Sequence, residues 1–177
     1  MERKRSWQSS AVKLCSKIVS SQKPSIMILM ETKQKHGRGK YWTHRRSFEN
    51  FEEVGRIGIS GGLLLCWKNI HLVVLEATKN IIHTRIKFPI LGYVFCTFIY
   101  GHPTTHKRKI VWDKLFSLHS TVTGPWVWTR DFNQVLSNED KLSFRTQACP
   151  GANDLHNSDH APIILDTYIM QTFRKRP

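Results

Sequence analysis

The N-terminal region shows a helical pattern of apolar residues. Between residues 11 and 19 these recur with helical spacing, while Lys13 and Lys17 fall on the opposite face. Lys23-Pro24 ends the segment, because the residue before a proline is disfavoured in helical conformation. We therefore predict an amphipathic first helix. An organelle transit peptide is the alternative, since Glu2 is the one acid among the first thirty residues. The apolar positions are Ala11, Val12, Leu14, Cys15, Ile18 and Val19.

Shorter apolar runs farther along the chain predict β-strands. Residues 25–30, SIMILM, form a continuous run that is typical of a strand buried on both faces. The glycines of segment 55–62 indicate a turn and a close approach of two sheets. Further strands are predicted at about residues 63–67, 72–76, 81–87, 93–100, 125–129 and 161–165.

A second helix is predicted from about residue 105 to residue 118. Its first turn is basic, which is unfavourable at a helix N-terminus unless an anion lies nearby. Strands alternating with two helices predict a layered α/β or α+β fold in one domain. The residues expected to face the core are Ile110, Val111, Leu115 and Leu118.

The charge of the chain favours a polyanionic partner. Its 177 residues include 27 Lys and Arg against 13 Asp and Glu, a formal net charge of +14. Such an excess favours nucleic acid first and an anionic membrane second, although a decayed sequence under no selection would also show it. No apolar stretch approaches the length of a membrane span, so we expect no membrane anchor. The four cysteines lack zinc-ligand spacing and favour a reducing, intracellular compartment over secretion.

Segment 33–46 is a candidate nucleic-acid contact. It contains six Lys or Arg residues and no acid, and aromatic residues interrupt it. Basic side chains can line a DNA backbone while an aromatic ring stacks on an exposed base. For any single residue, a solvated loop is the alternative. The candidates are Lys33, Lys35, Arg38, Lys40, Trp42, Arg45 and Arg46.

Polar residues follow several of the apolar runs in an order that suggests phosphodiester hydrolysis. Such hydrolysis requires a divalent metal, a group that activates water and a donor to the phosphate. Glu31 can supply an oxygen ligand to Mg²⁺, and Asp131 can orient or deprotonate water with help from Asn133. Tyr100 and His160 can donate hydrogen bonds to the phosphate. Taken singly, each of these residues is ordinary in a turn, and only their order favours chemistry.

Several segments together resemble one family. They are residues 28–33 (ILMETK), 60–68 (SGGLLLCWK), 98–103 (FIYGHP), 111–115 (VWDKL), 124–136 and 158–163 (SDHAPI). This set resembles the endonuclease/exonuclease/phosphatase superfamily, and within it the endonuclease domain of plant LINE-type (non-LTR) retrotransposons. The resemblance covers about residues 11–167.

The resemblance implies a four-layered sandwich, Mg²⁺ (or Mn²⁺) and nicking of DNA, with no small-molecule cofactor. It implies that Glu31 and Asp159 belong to the metal site and that Tyr100 contacts the phosphate. Asp131 and Asn133 correspond to the water-activating pair, and Asp159 with His160 to the terminal catalytic pair. Arg3-Lys4-Arg5 and a DNA partner suggest a nuclear location.

The chain departs from the family pattern in three places. The family usually opens with a strand that holds a catalytic asparagine in a Trp-Asn-x-x-Gly context, whereas this chain begins with MERKRSW and has no such asparagine. Arg130 stands where the family has a glycine. If that glycine has a backbone angle that side chains disfavour, Arg130 costs stability. Residues 149–154 run almost directly into Ser158-Asp-His160, where the family has a long segment. We therefore expect one truncated domain over 1–177, with an internal deletion near 150–157 and impaired or lost activity.

Three alternatives stay open. The chain can be a non-catalytic basic module that binds nucleic acid through charge, a pseudogene product without function, or a phosphatase of lipid or inositol phosphates. Metal-dependent nicking separates the first alternative from catalysis, because binding through charge needs no metal and falls steeply with salt.

Overall fold

The computed structural model of the chain describes residues 9–102 and 104–131. The helices in this part are α1 (Ser9–Gln22), α2 (Gly39–His44) and α3 (Arg108–His119), and a short 3-10 helix at Thr105–Lys107 precedes α3. None of the described helices is long and apolar enough to cross a membrane. The predicted strand at residues 161–165 lies outside the described residues. The strands are β1 (Ile26–Met30), β2 (Asn50–Val54), β3 (Leu63–Trp67), β4 (His71–Ala77), β5 (Ile81–Phe88), β6 (Gly92–Tyr100) and β7 (Trp126–Asp131).

The first sheet has the order β1-β3-β2, and both outer strands run antiparallel to β3. The central strand is an uninterrupted apolar run because both of its faces are covered. Leu63 and Leu65 face the second sheet, whereas Leu64 and Cys66 pack on the opposite side with α1 and α2. The period-two alternation of a strand thus divides four consecutive buried residues between two cores.

The second sheet has the order β4-β5-β6-β7. Hairpins make β4, β5 and β6 antiparallel neighbours, while β7 runs parallel to β6. The parallel pair follows from its connection, because a parallel neighbour needs a crossover and α3 supplies it. Val111, Leu115 and Leu118 of α3 pack against this sheet as predicted.

Three hydrophobic clusters define four layers. One cluster lies between α1 with α2 and the first sheet, the next lies between the two sheets, and the third lies between the second sheet and α3. The expected mixed fold, two sheets flanked by helices, is therefore confirmed for the described residues.

The structure corrects three details of the predicted elements. Strand β1 is half-buried along its whole length, because among the described strands it lies at the edge of its sheet, even though residues on both of its faces contact a core. Ile110 is 55 % exposed instead of facing the core. Both α2 and β2 lie where no element was predicted.

Helix α2 depends on residues outside its own sequence. The carboxylate of Glu53 on β2 accepts hydrogen bonds from the backbone N–H groups of Gly37 (2.8 Å) and Arg38 (3.2 Å). A side chain at Gly39 would place its Cβ 2.9 Å from Leu64 Cδ1, so glycine lets the helix approach the sheet without a shift of that leucine side chain. These contacts explain why local propensity did not reveal the helix.

The close approach predicted for the glycines occurs within the first sheet and not between two sheets. Gly62 has a φ of +94°, and a Cβ there would clash with Thr32 Oγ1. The Thr32 amide donates to the Gly62 carbonyl (3.1 Å) and the Lys33 amide to the Gly61 carbonyl (2.9 Å). These bonds extend the pairing of β1 and β3 beyond the end of β1.

A buried polar trio lies on the helix-covered face of the second sheet. Trp126 Nε1 donates to Thr97 Oγ1 (2.7 Å), and the Thr97 hydroxyl lies 2.8 Å from His83 Nδ1. Which of these two atoms donates depends on the tautomer of the imidazole, because the hydroxyl oxygen can accept from Trp126 and still either donate to or accept from Nδ1. Burial lowers the pKa of His83 below its ordinary value.

Candidate functional site

Tyr100 and Asp131 meet at one edge of the second sheet. They are the last residues of two parallel strands, β6 and β7, and they are paired in register. The Gly101 amide donates to the Asp131 carbonyl and continues the pairing past the end of β6. Two residues that are far apart in sequence are thus neighbours, because parallel strands end at the same edge.

Solvent barely reaches the Tyr100 side chain. The residue is 2 % exposed and belongs to the cluster between the two sheets, whereas Asp131 is half-exposed. In this conformation the phenol is part of the core. A phosphate contact through Tyr100 therefore requires a more open arrangement.

The turn between β4 and β5 holds the end of β6, and sequence reasoning did not identify it. Asn80 is 7 % exposed, and its Nδ2 donates to the Tyr100 carbonyl over 2.6 Å. The Tyr100 amide donates in return to the Asn80 carbonyl over 2.8 Å. Asn80 therefore positions Tyr100 through the backbone. The sequence signal was a polar Thr-Lys-Asn turn between two strands, which predicts a connection but no partner.

Arg130 does not strain the backbone beside Asp131. It is exposed, it pairs with Ile99 and it lies in the extended part of β7. Its φ is not positive, so the conditional expectation of strain at this position is wrong.

Glu31 lies directly after β1 in a left-handed conformation with a φ of +53°. Its side chain is 36 % exposed, and Oε1 lies 3.1 Å from Lys33 Nζ. Met30, the preceding residue, packs against the same cluster that contains Tyr100. Glu31 and Tyr100 therefore border one core from its two sheets.

The remaining predicted site residues lie outside the part of the chain that the structure describes. These are Asn133, Asp159 and His160. Within residues 9–102 and 104–131, no three His, Cys, Asp or Glu side chains lie close enough together to hold a metal ion.

A cationic cluster borders the Tyr100 edge. Partial burial, followed by the positive charges of Lys107, Lys79 and His106, lowers the pKa of His102. His102 Nδ1 accepts from the Thr104 amide (3.0 Å), which fixes the ring beside the 3-10 helix. In the part of the chain that the structure describes, Lys107 at the N-cap of α3 makes no side-chain capping hydrogen bond. The cluster and the helix N-terminus together create a positive potential suited to an anion. This concentration was visible in the sequence only as a basic first helical turn.

Segment 33–46 is divided between surface and core. Lys33, Lys35, Arg38, Lys40 and Arg45 are exposed. Trp42 is 7 % exposed and packs in the cluster beneath α1. Its burial favours a structural role over base stacking.

Arg46 joins Trp42 in that structural role. Its guanidinium lies 4.1 Å from the centre of the Trp42 ring and donates to Ser16 Oγ on α1 (3.1 Å). Burial lowers the pKa of Arg46. Tyr41 of α2, in contrast to Trp42, is 66 % exposed.

The sequence matches no protein-family model and no curated protein. Its fold, however, matches solved structures. The endonuclease domain of TRAS1, a telomere-specific non-LTR retrotransposon, superposes with a TM-score of 0.50 and 11 % identity, over 74 % of this chain and 56 % of that one. The 3′ phosphatase NExo from Neisseria, bound to a product DNA hairpin, superposes with a TM-score of 0.53 and 11 % identity, over 73 % of this chain and 55 % of that one. A humanized D. rerio TDP2 superposes with a TM-score of 0.50 and 13 % identity, over 77 % of this chain and 63 % of that one.

At these identities the likeness concerns the fold alone, and the chain spans less than two thirds of each of these structures. The described residues nevertheless reproduce the two packed sheets and the flanking helices. The chain therefore has an endonuclease/exonuclease/phosphatase-like fold.

Proposed function

We propose that the protein is a metal-dependent DNA nuclease of the type found in plant LINE retrotransposons, with impaired activity. One observation carries the proposal: Tyr100 and Asp131 are paired at the ends of β6 and β7, beside a cluster of cations. A carboxylate that can activate water is thereby next to groups that can bind phosphate.

The proposal assigns roles to residues of the second sheet and to residues outside the described part of the chain. Asp131 orients or deprotonates the attacking water with Asn133, and the ammonium groups of Lys79 and Lys107, near His102, neutralise a phosphate of the DNA backbone. Asp159 and His160 keep the catalytic roles that the resemblance implies. A DNA substrate also suggests a nuclear location.

The chemistry around Glu31 fits a hard divalent cation. Its carboxylate is partly exposed and already holds one positive group, Lys33 Nζ at 3.1 Å. Mg²⁺ in such sites is bound by one or two carboxylates and keeps several waters, so Glu31 with Asp159 suffices as the protein's share. When bound, the ion would stabilise negative charge on the phosphate.

Impairment is part of the proposal because of Tyr100. A phenol that is 2 % exposed contacts a phosphate only after groups covering it move apart. That opening costs free energy and lowers the fraction of molecules competent to bind. The short connection between residues 149 and 158 supports the same expectation, because the resembled family has a long segment there.

Nicking of supercoiled plasmid tests the proposal. We expect slow nicking by the purified full chain in Mg²⁺ or Mn²⁺, no nicking in EDTA, and loss of nicking in Asp131→Ala. Asp113→Ala is the matched control, because Asp113 is an exposed carboxylate on α3 that pairs with Lys109 away from the strand ends. Equal nicking by wild type and Asp131→Ala, or none from soluble folded protein, would refute the catalytic proposal.

A non-catalytic nucleic-acid-binding role is the second candidate. It is favoured by the exposed cations of segment 33–46, among them Arg38, Lys40 and Arg45. This role predicts DNA binding in EDTA that falls steeply with salt and does not change in Asp131→Ala. The plasmid assay and a salt titration together separate the two candidates.

A further inference from the structure

The loop between β2 and β3 exposes two large apolar residues. Ile57 is 68 % exposed and Ile59 is 87 % exposed, and only Gly58 separates them. We call residues 55–62 the isoleucine loop. Single exposed apolar residues are common on protein surfaces, so exposure alone decides nothing. The construction of the loop and its charged surroundings decide the argument.

The tip of the isoleucine loop is a tight hairpin turn. Ile57 and Ser60 form an antiparallel bridge, which leaves Gly58 and Ile59 as the two central residues. Gly58 has a φ of +67° and Ile59 does not have a positive φ, which is the pattern of a type II′ turn. Arg56 Nη1 donates to the Gly58 carbonyl over 2.6 Å and braces the turn from below. The two isoleucines are thus presented on a supported, narrow tip.

Both ends of the isoleucine loop are tied to the segment that follows Glu31. The Lys33 amide donates to the Gly61 carbonyl over 2.9 Å, and the Arg56 amide donates to the Gln34 carbonyl over 2.8 Å. Ile59 is two residues from Gly61, so its backbone lies within about 10 Å of Lys33. The isoleucine loop is therefore tied to the segment that directly follows the proposed metal ligand Glu31.

The surroundings of the tip are positively charged. Lys33, Lys35 and Arg38 are exposed nearby, and Arg56 lies in the loop itself. Two of the four acids between residues 31 and 56 are engaged: Glu31 pairs with Lys33, and Glu53 accepts from the Gly37 and Arg38 amides. Apolar side chains surrounded by cations fit a partner with an anionic surface and an apolar interior, such as duplex DNA with its phosphates and stacked bases.

We propose that the isoleucine loop is a wedge that enters the minor groove of duplex DNA and inserts Ile57 and Ile59 at a base step. The wedge rests on the proposed function, since the DNA would be held at the same site. Aliphatic side chains inserted from the minor groove unstack base pairs and bend or unwind the duplex. The two backbones of a hairpin lie about 5 Å apart, so with its side chains the tip is wider than the minor groove of about 6 Å, and its entry has to widen the groove, as happens when a wedge kinks the duplex. An anionic membrane is the competing partner, but it is better matched by a broad apolar face than by a two-residue tip.

Unwinding of closed circular DNA tests the wedge without any need for catalysis. Relaxed plasmid is incubated with the full chain and a metal-independent type I topoisomerase in EDTA, and the linking number is read after deproteinisation. We expect wild type to shift the linking number and the double variant Ile57→Ala/Ile59→Ala to shift it little. We also expect the double variant to raise the Kd roughly tenfold, from the lost apolar contact. Its salt slope should match wild type, because no cation is removed.

Two further variants sharpen the test. Ile90→Ala is the matched control: Ile90 is 74 % exposed at another hairpin tip, between β5 and β6, at the end of β6 opposite Tyr100. It should unwind DNA as wild type does. Ile59→Met should retain unwinding, because an apolar wedge remains, whereas Ile59→Asn should lose it.

The outcomes separate the wedge from the proposed nuclease. Wild type that binds DNA without a change in linking number, or a double variant that unwinds fully, would overturn the wedge even if Mg²⁺-dependent nicking is found. Unwinding without nicking would support the wedge and reject the nuclease, and absence of DNA binding would reject both. Isoleucine-dependent sedimentation with phosphatidylserine vesicles, without unwinding, would assign the loop to membranes and overturn the proposal.

Discussion

Asn80 gives the most direct test of how the edge that carries Tyr100 and Asp131 is built. Its amide Nδ2 donates to the Tyr100 carbonyl over 2.6 Å at a site where Asn80 is only 7 % exposed. Asn80→Ala removes this donor but keeps the backbone bond from the Tyr100 amide. Taking one partner from a buried acceptor costs about 1–3 kcal/mol, and we expect the free energy of unfolding to fall by that amount.

Asn80→Asp distinguishes this hydrogen bond from simple packing. The side chain keeps its shape, but at neutral pH a carboxylate oxygen replaces the amide nitrogen and faces the Tyr100 carbonyl. We expect Asn80→Asp to be less stable than Asn80→Ala by at least about 1 kcal/mol, because a buried charge then faces another acceptor.

The order of the two variants should change with pH. Burial raises the pKa of a carboxyl group in the folded state, so protonation stabilises the folded Asp variant as the pH falls through that raised pKa. Once protonated, the carboxyl can donate to the carbonyl as the amide did. The Asp variant should therefore recover stability relative to the Ala variant in acid.

Urea unfolding followed by tryptophan fluorescence measures both effects. With a slope of about 2 kcal/mol per molar urea, a loss of 2 kcal/mol lowers the midpoint by about 1 M. Asn50→Ala, at an exposed asparagine at the start of β2, is the control and should change stability by less than about 0.5 kcal/mol. Midpoints at neutral pH that place Asn80→Asp level with or above Asn80→Ala would refute the hydrogen-bond argument.

Three further predictions concern the layers of the fold. The pKa of His83 is lowered from 6.5 by burial, so its share of stability is complete above pH 6.5 and is lost as the pH falls through the folded-state value. The melting temperature of the wild type should therefore fall between pH 8 and pH 5, and it should fall less in His83→Gln. Leu65→Ala, at a fully buried position, should lower the free energy of unfolding in urea by about 2–5 kcal/mol. Ile110→Ala, on the exposed face of α3, should lower it by less than about 0.5 kcal/mol. Trp42→Ala should lower the melting temperature because it opens the core, while Tyr41→Ala should leave it unchanged and weaken single-stranded DNA binding in a filter assay.

The fold was predictable for segments whose own hydrophobic pattern shows which of their faces are buried. Residues 63–66 are buried on both faces and form an unbroken apolar run, so their period and length sufficed. The α1 pattern was equally readable, because one face of the helix meets the sheet and the other meets solvent. The first turn of the predicted second helix was less accurate, since residues 105–107 form a 3-10 turn with no apolar period to reveal it.

The missed elements depend on contacts between distant segments. A helix of six residues such as α2 is too short to be stable alone. It forms because Glu53 accepts hydrogen bonds from the two backbone amides that precede it and because Gly39 lets it lie close to Leu64. Strand β2 carries Glu52 and Glu53, which obscured its alternation. Neither dependence can be read from a local window of sequence.

The candidate site shows the same division. Tyr100 and Asp131 were identified because each follows an apolar strand, and their pairing follows from parallel strand geometry. Asn80 and Lys79 were not identified, because their importance comes from the neighbouring end of β6 and from His102. The sequence predicts which residues form a turn, but it does not predict which atoms of a neighbouring strand they contact.

The two halves of the proposed chemistry belong to different sheets. Asp131, Tyr100 and the cations around His102 are fixed by the second sheet and α3, through strand register and backbone hydrogen bonds. Glu31 follows an edge strand of the first sheet that is only half-buried. What relates Glu31 to Asp131 is therefore the apolar core between the sheets, to which Met30 and Tyr100 both contribute. Because that core is non-directional, small changes in its packing shift the proposed metal ligand against the water-activating carboxylate without breaking either sheet. Activity should for this reason be more sensitive than stability to substitutions between the sheets.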